Sequence, residues 1–586
     1  MPILRGKPVS SGIVSGTGHL YNQTVRPVDH ETALPARSVE KELNRLLNAV
    51  KKTRAQLKKI YNTVEKKMGS SSALIIGIQR QLLEDPSLIR EIRDKIAQEQ
   101  IRCETALLQV EKKYVDIFSK IPDLTFQERK NDLSDILQRI AGNLNSRHHV
   151  GLNPDSPYIL VALDLPPSKA AQIMSSGQIC GVILEEGGEN SHTSILARTM
   201  GIPTVINVTQ AMDTIKKGDF LFIDALLGLV YVNPSKEESF KLSGKKEKYL
   251  IHKERLKEII PLPSKTLDSA DFTLLGNIEL EFETTMAQSN GAGGIGLFRT
   301  EFLFMDGNIA HHTDQQVLIY KNVATSFYPN PVVIRTFDIG RDKTSPDFHQ
   351  EESLNPALGA MAVRIFLKDP PLLMKQIRAV IKANDSGNIS LLFPMITTIE
   401  EIFSLKDMVA ECFEQIRKEG VSAPKMPPLG IMVEVPAAIK LIPFLKDHID
   451  FFSVGSNDLT QYLLAVDRNN SEVSNLYTPF HPAVVEALFE ISAQCRKIGK
   501  PVTICGEMAG RSVSALMLLG MGFRRFSMNP LALMEIKRIL AHVHAGYAAH
   551  VVRQIRRFPS ASQIEEFLTE QFLRKYPDLF LRQPFF

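Results

Sequence analysis

The stretch VVIRTFD, Val332–Asp338, decides the fold. It opens on three β-branched apolar residues and closes on polar Arg335 and Asp338. That reads as a short strand whose last residues leave the core. The pattern recurs through the C-terminal half as FTLLGNI, GIGLF, ISLLFPMI, LGIMVE, FFSV, PVTICGE and RRFSM. Helix-like runs separate these strand candidates, so the expected architecture is a (β/α)8 barrel. Polar residues gather where the strands finish: Arg299, Arg335, Asp338, Glu434, Asn457, Asp458, Cys505 and Glu507. The C-terminal rim of such a barrel is where active sites lie.

Working outward, 586 residues are too many for one core, which implies several domains. With 44% hydrophobic and 23% charged residues, the composition is that of an ordinary globular chain. A formal net charge of +4 gives no bulk reason to expect nucleic acid or a membrane as partner. Five scattered cysteines without a CxxC pair point to neither a disulfide framework nor a zinc cluster. The opening MPILRGKPVSSG lacks a secretory signal, and no apolar run approaches the ~18 residues of a membrane span. A cytoplasmic location is expected.

The N-terminal half has three textures. Residues 1–22 and 147–233 carry short apolar strands punctuated by Gly and Pro, expected to pair as one small α/β domain. Between them, 23–146 reads as an inserted helical bundle. Its first helix carries the stripe Leu43, Leu46, Leu47, Val50, Leu57, Ile60, Tyr61 and Val64. Residues 234–265 are strongly charged and end in prolines, which suits either a solvated helix or a linker between halves. The linker reading is preferred, leaving 266–586 for the barrel. The whole is an α/β multidomain chain.

The rim chemistry follows from residue types. Arg299, Arg335 and Arg468 each follow a predicted strand, and guanidinium groups grip carboxylate and phosphate through paired hydrogen bonds. Three of them suit a small, multiply anionic substrate. Glu434 and Asp458 would repel such a substrate unless a hard cation intervenes. Mg2+ takes one or two carboxylates and completes its shell with substrate oxygens and water. Asn457 can donate its amide to a phosphate oxygen. Cys505 in TICGEMAG reads either as an inert buried thiol or as a general acid at the rim.

One histidine stands apart. EEGGENSHTSILAR, Glu185–Arg198, places His192 in a glycine-turned loop ahead of a helix, whose N-terminus favours a phosphoryl group. Thr193 is expected to fix the imidazole tautomer through Nδ1, and the acidic loop to raise the imidazole pKa.

Together GGENSHTSILAR, GIGLFRTEFLFMD, IRTFDIGRDK, NPALG, MVEVPAA, SVGSNDLTQYLLAVDRNN and CGEMAG resemble the phosphoenolpyruvate–protein phosphotransferases. These are the Enzyme I family of the bacterial sugar phosphotransferase system. The resemblance spans nearly the whole chain, in order. It implies a swivelling phosphohistidine domain (1–22 and 147–233) and an HPr-binding helical domain (23–146), with QRQLLEDP in the carrier-binding region. It also implies a linker helix (234–265) and a phosphoenolpyruvate-binding, dimerising barrel (266–586). Residue by residue, it implies that Arg299, Arg335, Asn457, Asp458 and Arg468 bind phosphoenolpyruvate and that Glu434 and Asp458 hold Mg2+. His192 would take the phosphoryl group on Nε2, Cys505 would protonate enolpyruvate, and HPr would be the acceptor of a homodimeric enzyme.

Three positions depart from the family pattern. Glu189 stands where a basic residue is usual, Met361 where an arginine lies near the substrate, and Arg341 where DIGGDK has glycine. Arg341 is expected to replace part of the charge lost at Met361; Arg364 and Lys343 are retained. A dikinase or synthase would need a nucleotide-binding domain ahead of the histidine motif, yet only a mostly helical segment without a P-loop precedes it. A nitrogen-branch paralogue would need an N-terminal sensory domain, and none is visible. A regulatory protein that kept the fold but lost turnover is argued against by the retained His192, arginines, Glu434, Asp458 and Cys505.

Overall fold

The computed structural model describes residues 2–21, 36–68, 77, 79–80, 82–83, 86–119, 124–144, 157–174, 177–188, 191–305, 312–339, 358–420, 425–468, 470 and 472–581. The chain divides into two compact units, the first ending at Ile251 and the second beginning at His252. Among the described residues no helix is long and apolar enough to cross a membrane.

In the first unit, an eight-stranded sheet runs in the order β1-β8-β7-β3-β4-β5-β6-β2. Its strands are β1 (Ile3–Arg5), β2 (Lys7–Ser10), β3 (Ile13–Tyr21), β4 (Tyr158–Ala162), β5 (Ile179–Leu184), β6 (Thr204–Ile206), β7 (Phe220–Asp224) and β8 (Leu229–Val232). β3 is parallel to β4 and antiparallel to β7, so the chain's first strands complete a sheet begun far away in sequence. Helices Ala36–Met68, Pro86–Glu99, Cys103–Ser119 and Leu124–Leu144 fill the interval. Their apolar faces share one core with strand and helix residues of the α/β part, from Leu46 and Leu57 through Ile140 to Leu160 and Leu196. In the first helix, Leu46, Val50, Leu57 and Ile60 are buried, whereas Leu47 is 45% exposed. Leu47 directly follows Leu46, a rotation of about 100° that carries it off the buried face.

The charged segment forms one helix, Lys236–Glu258. Its Leu242 and Tyr249 pack on Ile13 and Phe222 of the first unit. Lys245 pairs with the fully buried Asp224. Past His252, its Leu256 packs with Ile259 and Met534 of the second unit.

The second unit is a closed parallel barrel in the order β10-β11-β12-β13-β14-β15-β16-β9. Its strands are β9 (Thr273–Ile278), β10 (Ile295–Phe298), β11 (Val332–Arg335), β12 (Ile389–Phe393), β13 (Leu429–Val433), β14 (Phe451–Gly455), β15 (Val502–Cys505) and β16 (Arg525–Met528). Seven lie within the apolar runs read from the sequence, and β14 extends one residue past FFSV, to Gly455. Most residues of these strands are buried, which is why the runs are nearly continuous rather than alternating. Leu297, Val333, Leu392, Met432 and Cys505 meet in one cluster with Phe451 against it. Two residues onward, side chains return to the same side of a strand. From Leu297, Val333 and Met432, that step reaches Arg299, Arg335 and Glu434.

Candidate active site

Arg335, the last residue of β11, is buried at the rim. Its guanidinium lies 3.0 Å from Glu301 Oε1 and 2.9 Å from Asp338 Oδ2. Burial works against its charge, but the carboxylates of Glu301, Asp338, Glu434 and Asp458 hold its pKa above the ordinary arginine value. Arg299, just past β10, is more open and pairs with Glu279 Oε1 at 2.7 Å.

Glu434 follows β13 and is fully buried. Its Oε1 accepts a hydrogen bond from the Met395 N–H at 2.7 Å. Its Oε2 and the Oδ1 of Asp338 are buried without a hydrogen-bond partner among the described residues. Burial, with the carboxylates of Asp338 and Asp458, pushes the Glu434 pKa well above the usual carboxylate range.

β14 ends at Gly455 and passes directly into the helix Ser456–Leu464. Asn457 and Asp458 therefore sit in its first turn, at the rim. Asn457 Oδ1 accepts from the Glu507 N–H at 3.3 Å. Arg468 is not at a strand end, contrary to the sequence expectation, because LTQYLL is helical. Ala465 ends that helix in the left-handed conformation (φ 52°). The Arg468 N–H then bonds Gln461 Oε1 at 3.3 Å, and its guanidinium reaches Asp458 Oδ1 at 3.4 Å. The arginine thus joins the rim through a helix-end loop.

Cys505 ends β15, 1% exposed, with Sγ 2.9 Å from Ser453 Oγ. Burial pushes its thiol pKa up to about 11, against the opposing pull of the Ser453 and Ser527 hydroxyls, Arg299 and Arg335. It is a protonated thiol at neutral pH. Gly506 turns the chain after it with φ 109°, and a Cβ there would lie 2.5 Å from Ser456 Oγ.

Of the departures, Met361 lies near the rim helix, its Sδ 4.0 Å from the Tyr462 hydroxyl, which is also 3.8 Å from Met395 Sδ. Arg364 donates to Thr397 Oγ1 at 2.8 Å. Glu189, Arg341 and Lys343 lie outside the described residues.

In the first unit, His192 is the first residue of the helix His192–Thr199. Ser191 caps it, accepting from the Ser194 N–H at 3.3 Å, while Ser194 Oγ donates to Gly188 O at 2.7 Å. Ser/Thr capping of this kind fixes where the helix starts. Thr193 Oγ1 donates to Leu165 O at 2.7 Å, so its hydroxyl can meet an imidazole nitrogen only as acceptor. The His192 side chain lies outside the description.

Sequence reasoning missed Glu301, Ser453 and Tyr462, and gave Asp338 no role. Ser453 had a signal: it is the one polar residue in FFSV, an otherwise apolar strand.

Three family profiles match this chain. They are the PEP-utilising enzyme N-terminal domain over residues 5–129, the mobile domain over 154–228 and the PEP-binding domain over 253–545. A phosphoenolpyruvate-protein phosphotransferase of Haemophilus influenzae is 34% identical over 569 residues, covering 96% of this chain and 99% of the relative. One of Staphylococcus carnosus is 30% identical over 573 residues, covering 97% and 98%. A solved structure described as the NMR solution structure of Enzyme I (nEIt) is 29% identical at a TM-score of 0.36, covering 42% of this chain and 99% of that one. The chain belongs to the phosphoenolpyruvate–protein phosphotransferase family, enzymes that draw a phosphoryl group from phosphoenolpyruvate.

Proposed function

We propose that this enzyme moves the phosphoryl group of phosphoenolpyruvate to its own His192 and then to a histidine of the carrier protein HPr, releasing pyruvate. This would be the first step of a sugar phosphotransferase system, in the cytoplasm, by a homodimer joined through the barrel domain. The observation that carries the reading is the rim itself. A buried guanidinium, two unpartnered carboxylate oxygens and a protonated thiol converge at the C-terminal ends of β11, β13 and β15.

In this reading Arg299, Arg335, Asn457, Asp458 and Arg468 hold phosphoenolpyruvate. The arginines neutralise its phosphate and carboxylate, and positioning with charge neutralisation supplies most of phosphoryl-transfer catalysis. His192 Nε2 takes the phosphorus while the bridging oxygen keeps the bonding electron pair as enolpyruvate. Cys505 gives that enolate its proton.

The donor set fits Mg2+. Glu434 Oε2 is a buried, unpartnered hard oxygen, and a second, Asp338 Oδ1, lies close enough to raise the Glu434 pKa. In this reading Glu434 and Asp458 are the two protein ligands, with Asp338 beside them in the same acidic cluster. Two carboxylates plus substrate oxygens is the usual way Mg2+ binds. When bound, it would draw charge from the transferring phosphoryl group.

Residues 1–22 and 147–233 would form the swivelling phosphohistidine domain and 23–146 the HPr-docking domain. Segment 234–265 would serve as the linker helix and 266–586 as the substrate and dimer domain. A nucleophile serving a barrel and a separate acceptor has to travel, and hinged domains do this.

The test uses phosphoenolpyruvate labelled in its phosphoryl group, with Mg2+ and no ATP. An acid-labile label should appear on the protein, pass to added HPr, and be absent from His192→Ala. No label on the parent enzyme would overturn the proposal.

A further inference from the structure

We infer that Ser453 is a positioning residue for the proton step, its hydroxyl turning to donate to Cys505 sulfur once the thiol has released its proton. This rests on the reading of Cys505 as proton donor. Cys505 and Ser453 are each 1% exposed, on neighbouring strands β15 and β14. Around the thiol, Leu297, Val333, Leu392 and Met432 make an apolar layer. A hydroxyl in such a layer costs desolvation free energy unless it is hydrogen-bonded. Ser453 Oγ has Cys505 Sγ as its partner, at 2.9 Å, and either atom can donate. The remaining neighbours are less free to change. Ser527, whose hydroxyl also favours the thiolate, has its Oγ held by Asn277 Oδ1 at 2.5 Å and Gly276 O at 3.3 Å. Gly296 O, 3.8 Å from the sulfur, only accepts.

The step balances as follows. The Cys505 S–H bond breaks and its electron pair stays on sulfur. The proton bonds to C3 of enolpyruvate through the C2–C3 π pair, while the enolate oxygen closes the carbonyl. Water re-protonates the thiolate after pyruvate leaves. In the thiol state the sulfur can donate to Ser453 Oγ. In the thiolate state it can only accept, and the Ser453 O–H is free to rotate toward it. Hydrogen bonds to an ionised partner are about twice as strong as neutral ones, so the contact favours the thiolate selectively. The charged groups acting on the thiol are Arg299 and Arg335, which stabilise the thiolate, and Arg525, whose own pKa responds to Cys505.

Deuterium exchange into the methyl group of pyruvate, with Mg2+ and the full-length enzyme in heavy water, reads the step without phosphoryl transfer. Exchange needs the thiolate as base, so its rate should rise with pH through the Cys505 titration. Ser453→Ala should slow exchange at least ~10-fold at fixed pH and displace the profile upward, the size expected from losing a hydrogen bond to a charged group. Ser453→Thr, which keeps the hydroxyl, should restore both. Thermal unfolding of Ser453→Ala should match the parent within the effect of one hydroxyl. An unchanged rate and profile in Ser453→Ala would overturn the inference. If Cys505→Ala exchanged as fast as the parent, the proton-donor reading itself would fall, and the inference with it.

Discussion

Gly455 stands against Glu434: a Cβ at Gly455 would lie 2.6 Å from Glu434 Oε2 and 3.0 Å from Glu434 Cβ. The backbone there is unexceptional (φ −78°), so the demand for glycine is one of space. A methyl group at 455 has to push the carboxylate away from where its free oxygen points. Gly455→Ala should raise the Mg2+ concentration needed for autophosphorylation and destabilise the barrel by ~1–3 kcal/mol, as overpacking does. Metal titration of activity, with thermal unfolding in chelator, separates the two effects. An unshifted Mg2+ requirement would dissociate Glu434 from the metal.

The rim arginines should behave differently when removed. Arg335 is buried between the partly buried Glu301 and Asp338 and beside the fully buried Glu434, so Arg335→Met leaves these carboxylates without their cation and should cost up to ~3–5 kcal/mol of stability besides activity. The half-exposed Arg299–Glu279 pair should contribute at most ~1 kcal/mol to stability. Arg299→Ala should therefore leave denaturant unfolding nearly unchanged while raising the KM for phosphoenolpyruvate. Equal stability losses in the two variants would refute this division.

Much of this was legible in the sequence, and the legible part has a common cause. Parallel strands buried on both faces leave continuous apolar runs, so all eight barrel strands could be found, and the rim followed from where each run stopped. The Arg468 position was misread because its approach depends on the left-handed turn at Ala465, which a non-glycine residue does not announce. Glu301 was missed because its work is to hold Arg335 from a separate segment, a pairing that no local pattern encodes, whereas Asp338 lies only three residues past Arg335 and its part in holding that guanidinium depends on how the chain turns after the strand.

As the proposed proton donor, Cys505 sets the expected pH response. A general acid must be protonated, and its folded-state pKa is raised to about 11. Pyruvate formation should then be insensitive to this group at neutral pH and fall as pH rises toward 11. The sign for stability is the same. The folded state holds the proton more tightly, so this contribution is present below the unfolded thiol pKa and lost as pH climbs through the folded one. A pH–rate profile whose alkaline limb persisted unchanged in Cys505→Ser would assign the limb to another group.

Asp268 offers a test remote from the rim. Its carboxylate accepts from the N–H groups of Ala545 at 2.9 Å and Gly546 at 2.8 Å, at the start of the helix Ala545–Gln554, and from Thr266 Oγ1. Desolvation opposes the charge, but the Thr266 hydroxyl and those N–H groups outweigh it and hold the pKa near about 2. Asp268→Asn should cost ~0.5–2 kcal/mol at neutral pH, the range of a lost helix cap, toward the lower end because the site is exposed. A depressed pKa makes this stability present above the unfolded value and lost as pH falls toward 2. Denaturant midpoints of the two proteins should converge on acidification; a constant gap would rule the carboxylate charge out as the cause.

Met361 is the departure with the most direct chemical consequence. Its thioether lies against the Tyr462 hydroxyl, where Asp458, Glu434 and Asp338 reinforce burial in raising the tyrosine pKa. That surrounding is rich in negative charge, so an arginine at 361 would be stabilised there. If Arg341 supplies the cation that Met361 does not, Arg341→Gly should raise the phosphoenolpyruvate KM. Met361→Arg in the same background should bring it back, with kcat less affected than KM because the interaction is with bound substrate. Steady-state kinetics on the four proteins of this double-mutant cycle give the coupling directly. Strict additivity, or a KM untouched by Arg341→Gly, would mean that Arg341 does not compensate and that this enzyme binds its substrate with one arginine fewer.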